Sequence, residues 1–153
     1  MKFIFGGVLI LLDIILLVIL FFWFTLIMPG CKIGNAVLCT SAIKENSKPE
    51  IIMWLVLLML VPLYIFTDYI GNIAIMIFLL MWIIAQWFFT LRFIFFPNER
   101  KIMGYNKHFE DTHHFIKPSP KRLVPDTYHI VLFAMLIICF VAVTFRLIRS
   151  FVL

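Results

Sequence analysis

Apolar residues fill four stretches of this chain, roughly 3–28, 51–67, 73–96 and 128–148, and polar residues gather between them. Crossing the hydrocarbon core takes about 20 apolar residues in helical form. Each stretch meets or approaches that length. With no water in the core to satisfy backbone groups, the helix is the element expected to cross. The pattern predicts an all-α integral membrane protein: a single domain, residues 1–153, with four transmembrane helices in an up-and-down bundle.

Local signals refine that picture. Thr67-Asp68-Tyr69-Ile70-Gly71-Asn72 reads as a tight turn, which makes the second and third helices a hairpin. Pro62 removes a backbone donor inside the second helix and favours a kink there. The run 3–28 exceeds the roughly 7–15 apolar residues of a signal peptide. Pro29-Gly30 follows it, not a small-x-small cleavage site, so an uncleaved helix is expected. Segment 29–50 reads as coil from Pro29, Gly30, Gly34, Asn35, Asn46, Ser47 and Pro49. Segment 97–126 is polar and interfacial or soluble, too short to fold alone.

Composition makes the bilayer the first partner. Hydrophobic residues are 64% of the chain and charged residues 14%, more apolar surface than a water-soluble core of this size can hide. The net charge of +5 is set by residues in loops and helix flanks. Four spans put both termini on one side, with Lys2, Arg146 and Arg149. The other side holds Lys32, Lys44, Lys48, Arg92, Arg100, Lys101, Lys107, Lys117, Lys121 and Arg122. The positive-inside bias then makes segments 29–50 and 97–126 cytoplasmic, in a bacterial inner (plasma) membrane by expectation. Cys31 and Cys39 pull the other way: two cysteines in one loop suit a disulfide in an oxidising compartment, which inverts the topology. Trp23, Trp54 and Tyr128 mark the loop-side interface, and Tyr64 and Tyr69 the opposite one. No nucleic-acid module is present.

Three groups of residues can carry chemistry. Asp13 lies within the first helix, where a carboxylate is costly and functional by default. At about 1.5 Å per residue, Asp13, Gln86 and Cys139 lie roughly 15, 20 and 16 Å from the termini end, one layer of the bundle. Arg146 lies shallower, with a side chain long enough to reach inward. This polar set reads either as a midplane site for a proton, solute or partner helix, or as interhelical hydrogen bonding with Gln86 as the partner of Asp13.

The second group is His108, Glu110, Asp111, His113 and His114, all metal-ligating types within seven residues. Their spacing matches no metal template. With only four histidines in the chain, a desaturase-type di-iron site is excluded. The plainer reading is a solvated interfacial segment in which Tyr105, Phe109 and Phe115 dip into headgroups. The third group, Lys117, Lys121 and Arg122, is broken by Pro118 and Pro120 and reads as a topology determinant or a contact for anionic lipid. Gly30 and Gly34 have GxxxG spacing, but in a loop. No Walker loop, dinucleotide loop or Ser-His-Asp grouping occurs.

These readings point to a protein that acts by contact. It is expected to be an accessory subunit of a larger membrane complex, such as a secretion or transport apparatus, or an immunity or exclusion protein. A membrane-protein partner or homo-oligomer is implied, with no cofactor and no resident metal. The likeness to such proteins is one of architecture only. The alternatives are a small transporter or channel built around Asp13, and a metal-dependent interfacial enzyme using the histidine-rich segment.

Overall fold

The computed structural model describes residues 2–119 and 121–152, with side chains described for 11–67, 69–119 and 121–151. It is mostly helical, at 69%. In chain order the elements are α1 (Lys2–Thr25), β1 (Cys31–Ile33), β2 (Ala36–Cys39), α2 (Lys48–Phe66) and α3 (Asp68–Gln86). A π-helical turn (Trp87–Leu91), α4 (Arg92–Phe95), α5 (Glu99–His108) and α6 (Thr127–Val152) follow.

Among the described residues, three helical runs are long and apolar enough to cross a membrane: Lys48–Phe66, Tyr69–Phe95 and Thr127–Phe151. The described apolar part of α1 is Leu11–Thr25, shorter than a span. The long helices share one core. Leu17, Leu20 and Phe24 of α1 are buried with Leu57, Val61 and Tyr64 of α2, Ile75, Leu79 and Trp82 of α3, and Leu132, Leu136, Cys139 and Val143 of α6. These positions recur every three or four residues, so each helix gives one stripe to the interior. Helix α6 lies against α1 and α3, and α2 lies against the same two. Phe24 and Phe78 both meet Trp82 edge-on, with ring centroids 4.4 and 5.3 Å away.

The outward faces are as apolar as the core. Phe22 is 65% exposed, Met59 75% and Phe89 80%. In water such a surface drives aggregation; in a bilayer it faces acyl chains.

The junction of α2 and α3 is tighter than the sequence predicts. Segment 68–72, read as turn, is already the start of α3, and Thr67 alone separates the two helices. Thr67 is extended, at φ −130 and ψ 115, and both its N–H and its hydroxyl donate to the Leu63 carbonyl, at 2.9 and 2.6 Å. Gly71 permits this approach, because a Cβ there would stand 2.5 Å from the Leu63 oxygen and 2.7 Å from the Tyr64 Cα. Pro62 lies inside α2, which continues through it. The widened turn at 87–91 has no counterpart in the hydrophobic pattern.

Segment 29–50 is not coil throughout. β1 and β2 form an antiparallel hairpin across the two-residue turn Gly34-Asn35. Gly34 takes φ 60, a conformation that costs glycine nothing and lets a two-residue hairpin close. The all-α expectation is corrected to that extent. The hairpin is tied to the histidine-rich segment: His113 N–H donates to the Val37 carbonyl at 2.7 Å, beside a Val37–Thr112 bridge.

Segment 97–126 folds on itself. Phe93, Ile102 and Leu123 form a small core of their own, with Tyr105 packed on it. Asn98 caps α5, its Oδ1 accepting from the Lys101 N–H at 3.2 Å. Gly104 sits inside α5, and a Cβ added there would meet nothing within 4 Å. Gly104→Ala is therefore expected to stabilise α5 by about 0.5–1 kcal/mol through helix propensity. Hydrogen exchange of the α5 amides checks this, with slower exchange as the expected sign.

Candidate functional site

Two polar sites stand out, one inside the helix bundle and one at its mouth. Inside, Asp13 is 5% exposed and accepts a hydrogen bond from the Tyr64 hydroxyl at 3.4 Å. The Arg146 guanidinium lies over the Tyr64 ring, 4.7 Å from its centroid, and is close enough to Asp13 for Coulombic attraction. Helices α1, α2 and α6 thus converge on one carboxylate–phenol–guanidinium cluster. Cys139 lies nearby on α6, its thiol donating to the Leu16 carbonyl at 3.5 Å.

Gln86 is not part of this cluster. It closes α3, eighteen residues beyond Asp68, or roughly 27 Å along the axis from the α2–α3 junction. Tyr64 stands two residues before the end of α2, so Asp13 is engaged near that junction instead. The expected Asp13–Gln86 fastening is corrected to Asp13–Tyr64–Arg146. Tyr64 itself is 1% exposed, not an interfacial anchor.

The predicted interface aromatics do gather at the other end. Trp23 stacks on Tyr128 with centroids 5.6 Å apart, and the Trp54 indole N–H donates to Thr25 Oγ1 at 3.0 Å.

The histidine-rich segment is split up by the fold. The His113 ring meets Thr127 Oγ1 at 2.7 Å, the His114 ring meets the Phe109 carbonyl at 3.1 Å, and His108 turns to Glu45 at 3.4 Å. Glu110 and Asp111 are exposed, as are Lys117, Lys121 and Arg122. Tyr105 and Phe109 pack on each other with centroids 4.4 Å apart instead of facing outward, whereas Phe115 is 62% exposed. Burial, with the Asp126 carboxylate adding to it, pushes the Tyr105 phenol well above its ordinary range. Among the described residues no three His, Cys, Asp or Glu side chains converge as metal ligands. Pro120 lies outside the described residues.

Cys31 and Cys39 are partners across β1 and β2, and both are free thiols. Burial pushes the Cys39 thiol up to about 11, which suppresses the reactive thiolate.

At the mouth of the bundle a cavity of about 400 Å³ opens beside the first turns of α2 and α6. Its walls include Glu45, Ser47, Glu50, His108, Phe109 and His129. Asp126, 1% exposed, caps α6 by accepting the His129 N–H at 2.8 Å. The same carboxylate holds His129 Nδ1 at 2.8 and 2.9 Å. The carboxylate thereby fixes the orientation of the His129 ring. The Ser47 hydroxyl donates to Glu50. The Tyr128 hydroxyl, fully buried, has no hydrogen-bond partner among the described residues and lies within electrostatic reach of Glu50 and Asp126.

The sequence reading missed Tyr64, Glu45, Glu50, Asp126 and His129 as site residues. Only Asp126-Thr-Tyr-His129 carried a usable signal, an acid and an imidazole three apart at a helix start. Comparison with protein-family models, curated proteins and solved structures finds no match for this chain.

Proposed function

We propose that the chain crosses the membrane four times, with α1 as the fourth span and α2–α3 as a hairpin, and that it works by protein–protein contact. On this reading it is an accessory subunit of a larger membrane complex, or a protein of the immunity or exclusion kind. The observation that carries the reading is the folded cap made by β1–β2, α5 and segment 109–126. Glu110, Asp111, His113, Lys117, Lys121 and Arg122 stand exposed on it. A surface already ordered loses less entropy on binding than a solvated loop would. The exposed apolar helix faces add lateral surface for a membrane partner. The basic residues of the cap favour its cytoplasmic placement, where Cys31 and Cys39 stay thiols.

The transporter alternative has less support, because Asp13 is engaged by Tyr64 and Arg146. A mild-detergent pull-down tests the contact reading. It compares the wild type with a variant carrying Glu110→Lys, Asp111→Lys, Lys117→Glu, Lys121→Glu and Arg122→Glu. The expected result is a stoichiometric membrane partner whose recovery falls roughly tenfold or more, the effect of losing about 1.4 kcal/mol. The variant should keep wild-type stability, since exposed substitutions usually stay within about 0.5 kcal/mol. A wild type that purifies alone contradicts the accessory reading. Full retention by the variant contradicts the cap as the contact.

A further inference from the structure

Of the chain's three cysteines, the fold sets two against each other: Cys31 on β1 and Cys39 on β2 are register partners. We infer that they form a reversible dithiol–disulfide pair, closed by exchange with a low-molecular-weight disulfide, and that closure tightens the joint between the hairpin and the cap.

The pairing geometry carries the first half. Ile33 faces Ala36 and Lys32 faces Val37, so a regular ladder would set Leu38 opposite Cys31. A register shift between Cys31 and Lys32 sets Cys39 there instead. Opposed residues of an antiparallel pair stand about 4.5–5.5 Å apart at Cα. A disulfide needs about 4.4–6.8 Å. Both thiols are free and lie within electrostatic reach of each other. Cys139 is engaged elsewhere, its thiol on the Leu16 carbonyl inside the bundle.

Unequal access sets the order of events. Cys31 is half-buried, whereas Cys39 is 4% exposed. Burial also pushes the Cys39 thiol up to about 11, so little thiolate forms there near neutral pH. The Cys31 thiolate therefore attacks first, displacing one thiolate from the small disulfide and forming a mixed disulfide. Cys39 then gives up its proton and attacks the Cys31 sulfur, releasing the second thiolate. The two protein thiols are oxidised, and the small disulfide is reduced to two thiols.

The hairpin transmits this change because both its neighbours bond to β2. The Cys39 thiol donates to the Leu26 carbonyl at 3.5 Å, just past α1. The Val37 carbonyl accepts the His113 N–H of the cap at 2.7 Å. Closure takes the donor from Leu26 and ties β1 to β2 covalently. The strand that carries Val37 then opens less often, and so does the His113 amide bonded to it.

The test exposes the full-length protein in detergent to mixtures of reduced and oxidised glutathione. Remaining thiols are then trapped with a maleimide after denaturation, and masses are read. The wild type is expected to lose two reactive thiols, to carry no glutathione and to form no link between chains. Cys139→Ala should behave alike. Cys39→Ser should stop at a glutathione adduct on Cys31. Cys31→Ser should form its adduct at Cys39 roughly tenfold more slowly, or slower still. A wild type that keeps both thiols, accumulates the adduct without closing, or links two chains overturns the pair. Equal adduct rates in the two serine variants overturn the order of attack.

Hydrogen exchange of the wild type before and after oxidation reads the coupling and needs no variant. The His113 amide is expected to slow roughly tenfold or more on closure, and dithiothreitol to restore its rate. An unchanged rate overturns the link to the cap. The thiol chemistry involves no partner protein, so its outcome is independent of the docking reading.

Discussion

Arg146→Met is expected to cost about 1–3 kcal/mol, the range for leaving a buried polar group short of a partner. Methionine keeps much of the length and the apolar stem but removes the guanidinium. Two contacts end together: the position over the Tyr64 ring and the attraction to Asp13. Asp13, 5% exposed, then keeps only the 3.4 Å bond from Tyr64. Adding Asp13→Asn should restore a large part of the loss, because the stranded charge is gone. A double-mutant cycle in detergent, read by thermal unfolding, should show a coupling on the order of 1–3 kcal/mol. A loss under about 1 kcal/mol with no coupling would remove the cluster as the fastening of α1, α2 and α6.

Gly71→Ala is expected to destabilise by about 1–3 kcal/mol, and Gly71→Val by more, through overpacking. The added Cβ meets the Leu63 carbonyl oxygen at 2.5 Å and the Tyr64 Cα at 2.7 Å. Both are backbone atoms of α2, so relief requires the two helices to separate. Because the second contact is Tyr64, the strain passes to the residue that holds Asp13. The same substitution at Gly104 carries the opposite expected sign, since nothing stands near that position. Unfolding midpoints of the two variants, measured side by side in one detergent, check both signs.

What the sequence made legible was set by periodicity and length. Apolar runs located the long helices within a few residues, because burial in lipid selects apolar side chains all round. The same uniformity hid the helix faces: Leu57 is buried and Leu58 exposed, yet both are leucine. Depth along each helix therefore could not choose between Gln86 and Tyr64 as the partner of Asp13. Depth misled because α3 begins at Asp68 rather than at residue 73, which carries Gln86 far along its helix. The hairpin at 31–39 was read as coil, since its glycines and Asn35 are common to turns and loops alike. The cavity was illegible for another reason. Glu45, Glu50, His108 and His129 are spread over 85 positions, 45 to 129, and line one cavity only through tertiary packing.

The most direct test of the central claim, four spans with one shared cap, is accessibility mapping with single cysteines in sealed vesicles. The background carries Cys31→Ser, Cys39→Ser and Cys139→Ala. Reporters replace Lys44, Tyr69 and Glu110 in turn, and a membrane-impermeant maleimide is applied from each side. The account predicts that positions 44 and 110 label from one side and position 69 only from the other. Labelling of 44 and 110 from opposite sides would contradict it.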